Sequence, residues 1–249
     1  MREKLTEVAG LLPDIPQWIE VRSMLLHGQA RLVGPVSSLP TTLVALHRDG
    51  EQAVVVGRAS HAAILEAAAS AHEILSATDD ESWTMGALPD WKMERAVLFR
   101  RPRASPLPRI ASGEVRFLTA GELAAITRGA PSLRPETLGD ELLSAETSGT
   151  PIAAAFEGGY AAAFCYAGSI TETLWDVSID TLEPYQRRGH ATKAVAFLIE
   201  HYHALGKQPV WGALVSNQAS AALAARLGFS PVGSLSIFSR PPEHDRADR

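Results

Sequence analysis

The stretch Gln186-Arg187-Arg188-Gly189-His190-Ala191 joins a predicted strand to a predicted helix, and it decides the fold of the chain. Before it, residues 173–180 alternate apolar and polar side chains, which is the pattern of a half-buried strand. After it, residues 190–205 carry apolar side chains at helical spacing and end at Gly206. A loop that enters a helix at its positive end can present successive backbone N–H groups to a phosphate.

Four residues of this loop suit a phosphate site, and one is expected to be passive. Gly189 lets the backbone approach a pyrophosphate closely, and Ala191 keeps the helix start uncrowded. Arg187 and Arg188 add positive charge, whereas His190 is expected to contribute only its backbone. The six residues alone are a weak signal that favours an ordinary helix start, and the flanking elements change that interpretation.

The elements around the loop predict a mixed α/β (α+β) domain. Upstream lie two predicted helices and three strands, namely Ala120–Thr127, Glu136–Thr147, Val115–Leu118, Pro151–Phe156 and Tyr160–Ala167. Downstream lie a strand, a helix and a strand, namely Val210–Val215, Asn217–Leu227 and Val232–Phe238. The strand–loop–helix unit of residues 173–205 therefore lies in the middle of this domain.

The segment Arg100–Arg109 separates this domain from the first hundred residues. It holds three prolines and four arginines, which exclude a helix or a central strand. We interpret its positive charge as that of a solvated linker. The predicted division is residues 1–103, a linker at 104–112, a second domain at 113–240 and a flexible tail at 241–249.

The first domain is predicted to be a smaller α/β unit of uncertain role. Thr41–His47 and Gln52–Gly57 are β-rich and flank an Asp-Gly turn. Ser60 can cap a helix that runs to about Ser76, and Ala96–Phe99 is a further strand. No cluster of residues in this half is typical of a catalytic site.

The composition excludes several classes of protein. The chain has 249 residues, of which 46% are hydrophobic and 20% are charged, as in a folded globular protein. The net charge of −5 gives no basic field for nucleic acid, and the single cysteine, Cys165, is expected to be a small buried side chain rather than a nucleophile. No apolar stretch is long enough to cross a membrane, and the charged N-terminus is not a signal peptide. The sequence therefore predicts a soluble cytoplasmic protein without nucleic-acid or membrane partners.

No sequence motif predicts a metal site or a hydrolase. His201 and His203 lie two positions apart in a predicted helix, so their side chains face different directions. The chain lacks the G-x-x-x-x-G-K-S/T, G-x-S-x-G and H-E-x-x-H motifs of phosphate-loop NTPases, serine hydrolases and zinc proteases.

Two motifs in the correct order resemble those of the GNAT superfamily of acyl-CoA-dependent N-acyltransferases. The family's motif A is a strand, then Q/R-x-x-G-x-G/A and a long helix, which Gln186, Gly189 and Ala191 fit. Its motif B is a strand followed by an asparagine that opens a helix ending in Gly-Phe, as Asn217 to Phe229 do here. The resemblance covers about residues 114–238 and implies a mostly antiparallel mixed sheet with flanking helices. The first hundred residues follow an order compatible with a degenerate copy of this fold.

The resemblance implies an acetyl-CoA site along the loop and the strand before it. Backbone N–H groups from Arg187 to Ala191 would bind the CoA pyrophosphate, and the strand end would pair with the pantetheine arm. Asn217 would bind the pantetheine or brace the cleft, and its alternative role is a simple helix N-cap. The implied cofactor-binding residues are Ile179, Asp180, Thr181, Leu182, Gln186, Arg187, Arg188, Gly189, His190, Ala191, Thr192, Asn217 and Ser220.

Acyl transfer from a thioester to an amine needs a proton acceptor, a polarised carbonyl and alignment of the two reactants. Asp176, on the polar face of the strand, is the predicted base, and a hydrogen-bonded strand residue without proton transfer is the alternative interpretation. The backbone N–H near Thr181 or Leu182 is the candidate to polarise the carbonyl. Weaker candidates for the base are Glu172, Asp180 and Glu183.

The sequence departs from the family pattern at the general acid. Many members carry a tyrosine seven residues after the motif B asparagine, where it can protonate the departing thiolate, but here that position is Ala224. Ser220 lies one turn earlier on the same helix face and is the nearest hydroxyl in sequence. A cofactor contact or a second helix cap is its alternative role.

The sequence thus predicts an N-acetyltransferase that moves an acetyl group from acetyl-CoA to an amine of a small molecule by direct attack. A protein amine as acceptor, a longer acyl chain beside Ala161–Ala163 and a homodimer are left open. A non-catalytic acyl-CoA-binding or regulatory module is the alternative from another functional class.

Overall fold

The computed structural model describes residues 2–34, 42–78, 81–111, 113–129 and 138–241 of the chain. Thr41, residues 136–137 of the predicted helix Glu136–Thr147, and residues 242–249 of the predicted tail lie outside these ranges. The chain forms two compact units. Unit 1 comprises residues 1–99, 212–221 and 231–249, and unit 2 comprises residues 100–211 and 222–230.

Unit 1 contains four helices and most of its sheet from the first hundred residues. The helices are α1 (Arg2–Leu11), α2 (Ile19–Leu26), α3 (His61–Ala68) and α4 (Glu81–Ala87). The strands are β1 (Ala30–Val33), β2 (Leu43–His47), β3 (Gln52–Val56), β4 (Glu73–Ala77), β5 (Lys92–Arg100) and the last strand of the chain, β11 (Ser230–Ser239). Their order is β1-β2-β3-β4-β11-β5, in which β3 and β4 are parallel and the pairs β1–β2, β2–β3 and β4–β11 are antiparallel.

Unit 2 repeats the same kinds of element, namely helices and mostly antiparallel strands. Its strands are β6 (Val115–Phe117), β7 (Ala153–Glu157), β8 (Tyr160–Ile170), β9 (Leu174–Thr181) and β10 (Gln208–Leu214), whose last three residues fall in unit 1. Its helices are α5 (Ala120–Gly129), α6 (Leu138–Thr147), α7 (His190–Ala204) and part of α8 (Gln218–Arg226). The order is β10-β9-β8-β7-β6, and only β9–β10 is parallel among these pairs. The predicted mixed, mostly antiparallel α/β fold is confirmed.

Strand β8 lies at the centre of unit 2 and is buried on both faces. On one face, Phe164 and Tyr166 pack against apolar side chains of α5 and α6. On the other face lies α7, where Trp175 of β9 stacks on Tyr202 with 4.6 Å between ring centres. Covering both faces explains why residues 162–167 are apolar without alternation.

The predicted helix from Ser60 to about Ser76 is wrong in its second half. Ser60 does cap α3, because the N–H of Ala63 donates to Ser60 Oγ over 3.3 Å, but α3 ends at Ala68. Residues 73–77 form β4, in which Ile74 and Leu75 are buried in clusters on opposite faces of the sheet. The apolar spacing fits a helix, but a strand buries both neighbours at once.

The predicted linker and its flanks differ from the observed units. Arg101 is only 2% exposed, and its Nε donates to the carbonyl of Leu227 at the end of α8, so a solvated linker is wrong at this position. The cation stabilises the negative end of the helix. The predicted range 113–240 also contains β11, which pairs with β4 of the first half, as in Phe238 opposite Ile74. That division into functional domains stays a prediction.

No helix in the described ranges is long and apolar enough to cross a membrane.

Candidate functional site

The loop between β9 and α7 has an unusual backbone. A short 3-10 helix at Glu183–Tyr185 precedes it, and Gly189 is the N-cap of α7 with φ 86° and ψ 1°. Arg187 has φ 60° and is the one residue other than glycine, among those described, in the left-handed region. This conformation costs about 1–2 kcal/mol for an L-residue, so the surroundings must impose it. Left-handed residues that alternate with others turn successive N–H groups into one concavity, which binds anions.

The N–H groups at the start of α7 have no acceptor in the described part of the chain. None of residues 187–191 donates a backbone hydrogen bond there, and Gly189 offers no side-chain cap. The space above Gly189 is also open, because an added Cβ would meet nothing within 4 Å. Unpaired N–H groups at the positive end of the 15-residue helix α7 favour a bound anion.

Charged side chains brace this loop from the β7–β8 turn. Arg188 Nη1 donates to Glu157 Oε1 over 2.6 Å, and the other carboxylate oxygen of Glu157 lies 2.6 Å from His190 Nε2. These partners, with the His190 hydrogen bond as the largest cause, lower the pKa of Glu157. His190 is buried and its ring contacts Glu157, so its side chain takes part in packing the loop, while the expectation that it offers only its backbone to a ligand stays a prediction. In the next turn of α7, Lys193 Nζ contacts Glu114 over 2.6 Å.

Sequence reasoning assigned no role to Glu157, although a signal was present. It is the one charged residue in the apolar stretch of residues 152–167, and it lies in a Glu-Gly-Gly turn. A lone charge beside a tight turn can be solvated or can reach a partner. Its partners are 31 and 33 positions away in sequence, so only the fold shows which occurs.

Beyond the loop, β9 has an edge that β10 does not cover. The parallel pairing with β10 ends where Val210 lies opposite Asp176, whereas β9 continues to Thr181 and pairs with β8. Main-chain groups along this edge can therefore accept an extended ligand. Gln186 Nε2 folds back to the carbonyl of Thr181 over 3.3 Å and so ties the loop to the strand.

The predicted N–H donor at Leu182 is already engaged. Its N–H donates to the carbonyl of Ala162 over 3.0 Å, so it is not available to polarise a thioester carbonyl.

Asp176, Ser178 and Asp180 lie on one face of β9, with Asp180 at the end near α6. Asp180 is half-buried opposite Phe164, and no donor in the described part of the chain hydrogen-bonds to its carboxylate. Burial and, secondarily, the charge of Glu141 raise the pKa of Asp180 to about 6. Glu141 accepts a 2.5 Å hydrogen bond from the Tyr166 hydroxyl, whose pKa is raised by burial and by Glu141. Neither Glu141 nor Tyr166 was a candidate from the sequence.

Asp176 lies on the same face of β9, four residues before Asp180. It is half-buried, and its Oδ2 and the hydroxyl of Ser178 lie 3.4 Å and 3.0 Å from where a Cβ on Gly168 would stand. The missing side chain at Gly168 therefore leaves room for both polar groups. The weaker candidates Glu172 and Glu183 are exposed.

The predicted motif B residues lie at the start of α8, in unit 1. Asn217 Oδ1 accepts a 3.0 Å hydrogen bond from the N–H of Ser220, so the N-cap alternative for Asn217 is present in the structure. Ala224, at the position of the family's tyrosine, is fully buried.

Cys165 is fully buried, as expected, and burial raises the pKa of its thiol, so it is not a nucleophile. Within the described ranges, no group of three or more His, Cys, Asp or Glu side chains could hold a metal ion.

Comparisons with known proteins identify a family model in this part of the chain. Residues 152–238, which include β9, the loop and α7, match the family model for GNAT acetyltransferase. Among curated proteins, none matches the sequence at a significant level.

Solved structures share the fold at low sequence identity. A GCN5-related N-acetyltransferase-like protein from Streptococcus suis is 14% identical with a TM-score of 0.69, and the match covers 96% of this chain and 99% of that one. A GCN5-related N-acetyltransferase from Kribbella flavida is 15% identical with a TM-score of 0.63, covering 92% and 95%. One from Sphaerobacter thermophilus is 12% identical with a TM-score of 0.53, covering 96% and 93%. The similarity in fold extends over both units.

Proposed function

We propose that this chain, an acyltransferase of the GNAT superfamily, transfers an acetyl group from acetyl-CoA to the amine of a small molecule. The observation that carries the proposal is the set of unpaired N–H groups of residues 187–191 at the start of α7. A pyrophosphate would accept these hydrogen bonds and interact with the helix dipole. Arg187 would add positive charge, and Gln186, Arg188, His190 and Thr192 would flank the group.

The pantetheine arm would lie along the uncovered edge of β9. Ile179, Asp180 and Thr181 pair with β8 on one side only, so their main chain can hydrogen-bond to the amides of the arm, as a peptide adds to a strand. Leu182 would contribute packing, because its N–H is engaged with Ala162. Asn217 and Ser220 are proposed as cofactor contacts on the family resemblance.

The reaction proceeds by direct attack of the acceptor nitrogen on the thioester carbonyl carbon. The carbon–nitrogen bond forms, the carbon–sulfur bond breaks, and the acceptor nitrogen loses a proton. The thiolate can leave without a dedicated acid, because a thiol of pKa about 8.5 is a good leaving group near neutral pH.

Two carboxylates on one face of β9 are proposed to take the proton. Asp176 is the base expected from the sequence, and Asp180 has the more suitable environment. A carboxylate whose pKa is about 6 holds a proton better than an ordinary aspartate, yet it is still ionised at neutral pH. Its carboxylate also has no competing donor in the described part of the chain.

The acceptor is proposed to be a small molecule that is cationic before it reacts. Asp176, Asp180 and Glu141 place negative charge on the same side of the sheet, and an ammonium group is attracted there. A binding module without catalysis remains the alternative from another class. Sustained release of thiol from acetyl-CoA with a panel of amines, monitored with a thiol reagent, supports the enzyme.

Isothermal titration with acetyl-CoA tests cofactor binding, and the chain offers a matched control. Gly189→Glu places bulk and negative charge over the loop and should weaken binding by about 100-fold or more. Gly206→Glu introduces the same residue at a second left-handed glycine with open space, φ 79°, at the other end of α7. Since both variants carry similar backbone strain, only the first should lose affinity. Equal affinities of Gly189→Glu and wild type would refute the loop assignment.

A further inference from the structure

We infer that Glu157 is a positioning residue for the cofactor loop, in which its two carboxylate oxygens hold Arg188 and His190, the residues on either side of Gly189. The inference rests on the proposed function only for the identity of the ligand. The arrangement itself is a set of contacts between the β7–β8 turn and the start of α7.

The contacts are short and come from both sides of the glycine. Each carboxylate oxygen of Glu157 takes a separate partner at 2.6 Å, Arg188 before Gly189 and His190 after it. His190 is only 7% exposed, whereas the Glu157 side chain is 40% exposed and reaches the buried ring from the surface. One rigid group thus fixes two residues that flank the most flexible position of the loop.

The loop needs such a constraint because its backbone is unfavourable by itself. Arg187 is held in the left-handed region, and no acceptor in the described part of the chain compensates the N–H groups that this conformation exposes. Without a contact from outside the loop, the loop would relax to conformations in which these N–H groups point in different directions. The contacts with Glu157 therefore preorganise the loop before the ligand binds, which reduces the conformational entropy lost on binding.

Because of these contacts, the two arginines of the loop have different roles. Arg188 is paired with Glu157, whereas Arg187 is exposed and no described carboxylate forms an ion pair with it. Arg188 thus serves to hold the loop, and Arg187 is the cation left to meet a phosphate. The negative charge of the Glu157 carboxylate near the anion site is offset by the Arg188 cation that is paired with it.

The first test is amide hydrogen exchange without ligand, read in the first hydrogen-bonded turn of α7. The N–H of Lys193 donates to the carbonyl of Gly189, so exchange at residues 193–196 reports whether the helix start is held. Glu157→Ala should raise exchange there. Glu122→Ala is the matched control, since Glu122 also bonds one arginine, Arg116, with both oxygens in the same unit. Unchanged exchange in Glu157→Ala would overturn the inference.

The second test is the affinity for CoA and the split between KM and kcat. Glu157→Ala should raise the Kd for CoA and the KM for acetyl-CoA about tenfold, with kcat at saturation nearly unchanged. Glu157→Gln keeps one acceptor oxygen and should lie between wild type and Glu157→Ala, which also guards against misfolding of the alanine variant. A lowered kcat with unchanged KM would contradict a positioning role. If the wild type does not bind CoA, the proposed function fails, while the exchange experiment still decides whether Glu157 holds the loop.

Discussion

Both units contain a segment in which a strand leads through a helix to a parallel strand, but only in unit 2 does the helix begin without a side-chain cap. In unit 1, β3 leads through α3 to the parallel strand β4, and in unit 2, β9 leads through α7 to the parallel strand β10. In both, antiparallel pairings precede the parallel one, two in unit 1 and three in unit 2. This repetition is the order expected of a degenerate copy of one fold.

The difference lies in how each helix begins. Four residues, 57–60, connect β3 to α3, and the Ser60 side chain caps that helix through the N–H of Ala63. Eight residues, 182–189, connect β9 to α7, and the N-cap Gly189 has no side chain to offer. The strands that precede the two helices also differ, because residues 53–56 of β3 are buried and apolar whereas β9 carries Asp176 and Asp180. The Ser60 side chain occupies one N–H group that an anion could otherwise bind at the start of α3, and no such cap exists at the start of α7.

The largest effect is expected from the carboxylates that β9 has and β3 lacks. Asp180→Asn or Asp176→Asn, whichever removes the base, should lower kcat by about 100-fold with little change in acetyl-CoA affinity. The pH dependence of kcat distinguishes Asp180 from Asp176 as the base. If Asp180 is the base, wild-type turnover rises as pH increases through about 6, because the carboxylate must be ionised to accept a proton. Asp180→Asn then removes that limb, and Asp176→Asn retains it.

Near-wild-type turnover in both single variants and in the double variant would exclude both carboxylates. The chemistry would then have to come from elsewhere, and the contrast between β9 and β3 would lose its functional meaning.

A smaller effect is expected at Ser220, the hydroxyl nearest to the family's missing tyrosine. Ser220→Ala should lower turnover by less than about tenfold and mainly weaken acetyl-CoA binding, because the thiolate leaves without a strong acid. Steady-state kinetics at saturating cofactor measure this. A loss in kcat of about 100-fold would instead make Ser220 the general acid.

The smallest effect on binding is expected in unit 1. Ser60→Ala removes the cap of α3 and should lower the free energy of unfolding by about 1 kcal/mol, as measured by urea denaturation. The Kd for acetyl-CoA should not change. A higher Kd would show that the start of α3 takes part in cofactor binding and that the two helix starts do not differ in function.

The sequence predicted the parts of the site that are local in the chain. The glycine at 189, the strand before it and the helix after it follow from patterns within thirty residues, and the structure has all three. The cap of α3 by Ser60 is equally local, and it too is present.

What the sequence did not predict depends on contacts between distant segments. Glu157 reaches the loop across more than thirty positions, and Arg101 reaches Leu227 across 126. The raised pKa of Asp180 needs the burial that packing produces and, secondarily, the charge of Glu141 on α6. The error in the helix after Ala68 has the same origin, because β4 exists through pairing with β3 and β11.

The number of acetyl-CoA molecules bound per chain tests the contrast between the two helix starts most directly. Isothermal titration of the wild-type chain should give a stoichiometry of one, because the start of α3 is capped by the Ser60 side chain, whereas the start of α7 has no side-chain cap and follows a loop with two arginines. Titration of Gly189→Glu should then give no residual binding at the same concentrations. A stoichiometry of two, or one site that survives Gly189→Glu, would contradict the account, since a second site would have to lie outside the α7 loop.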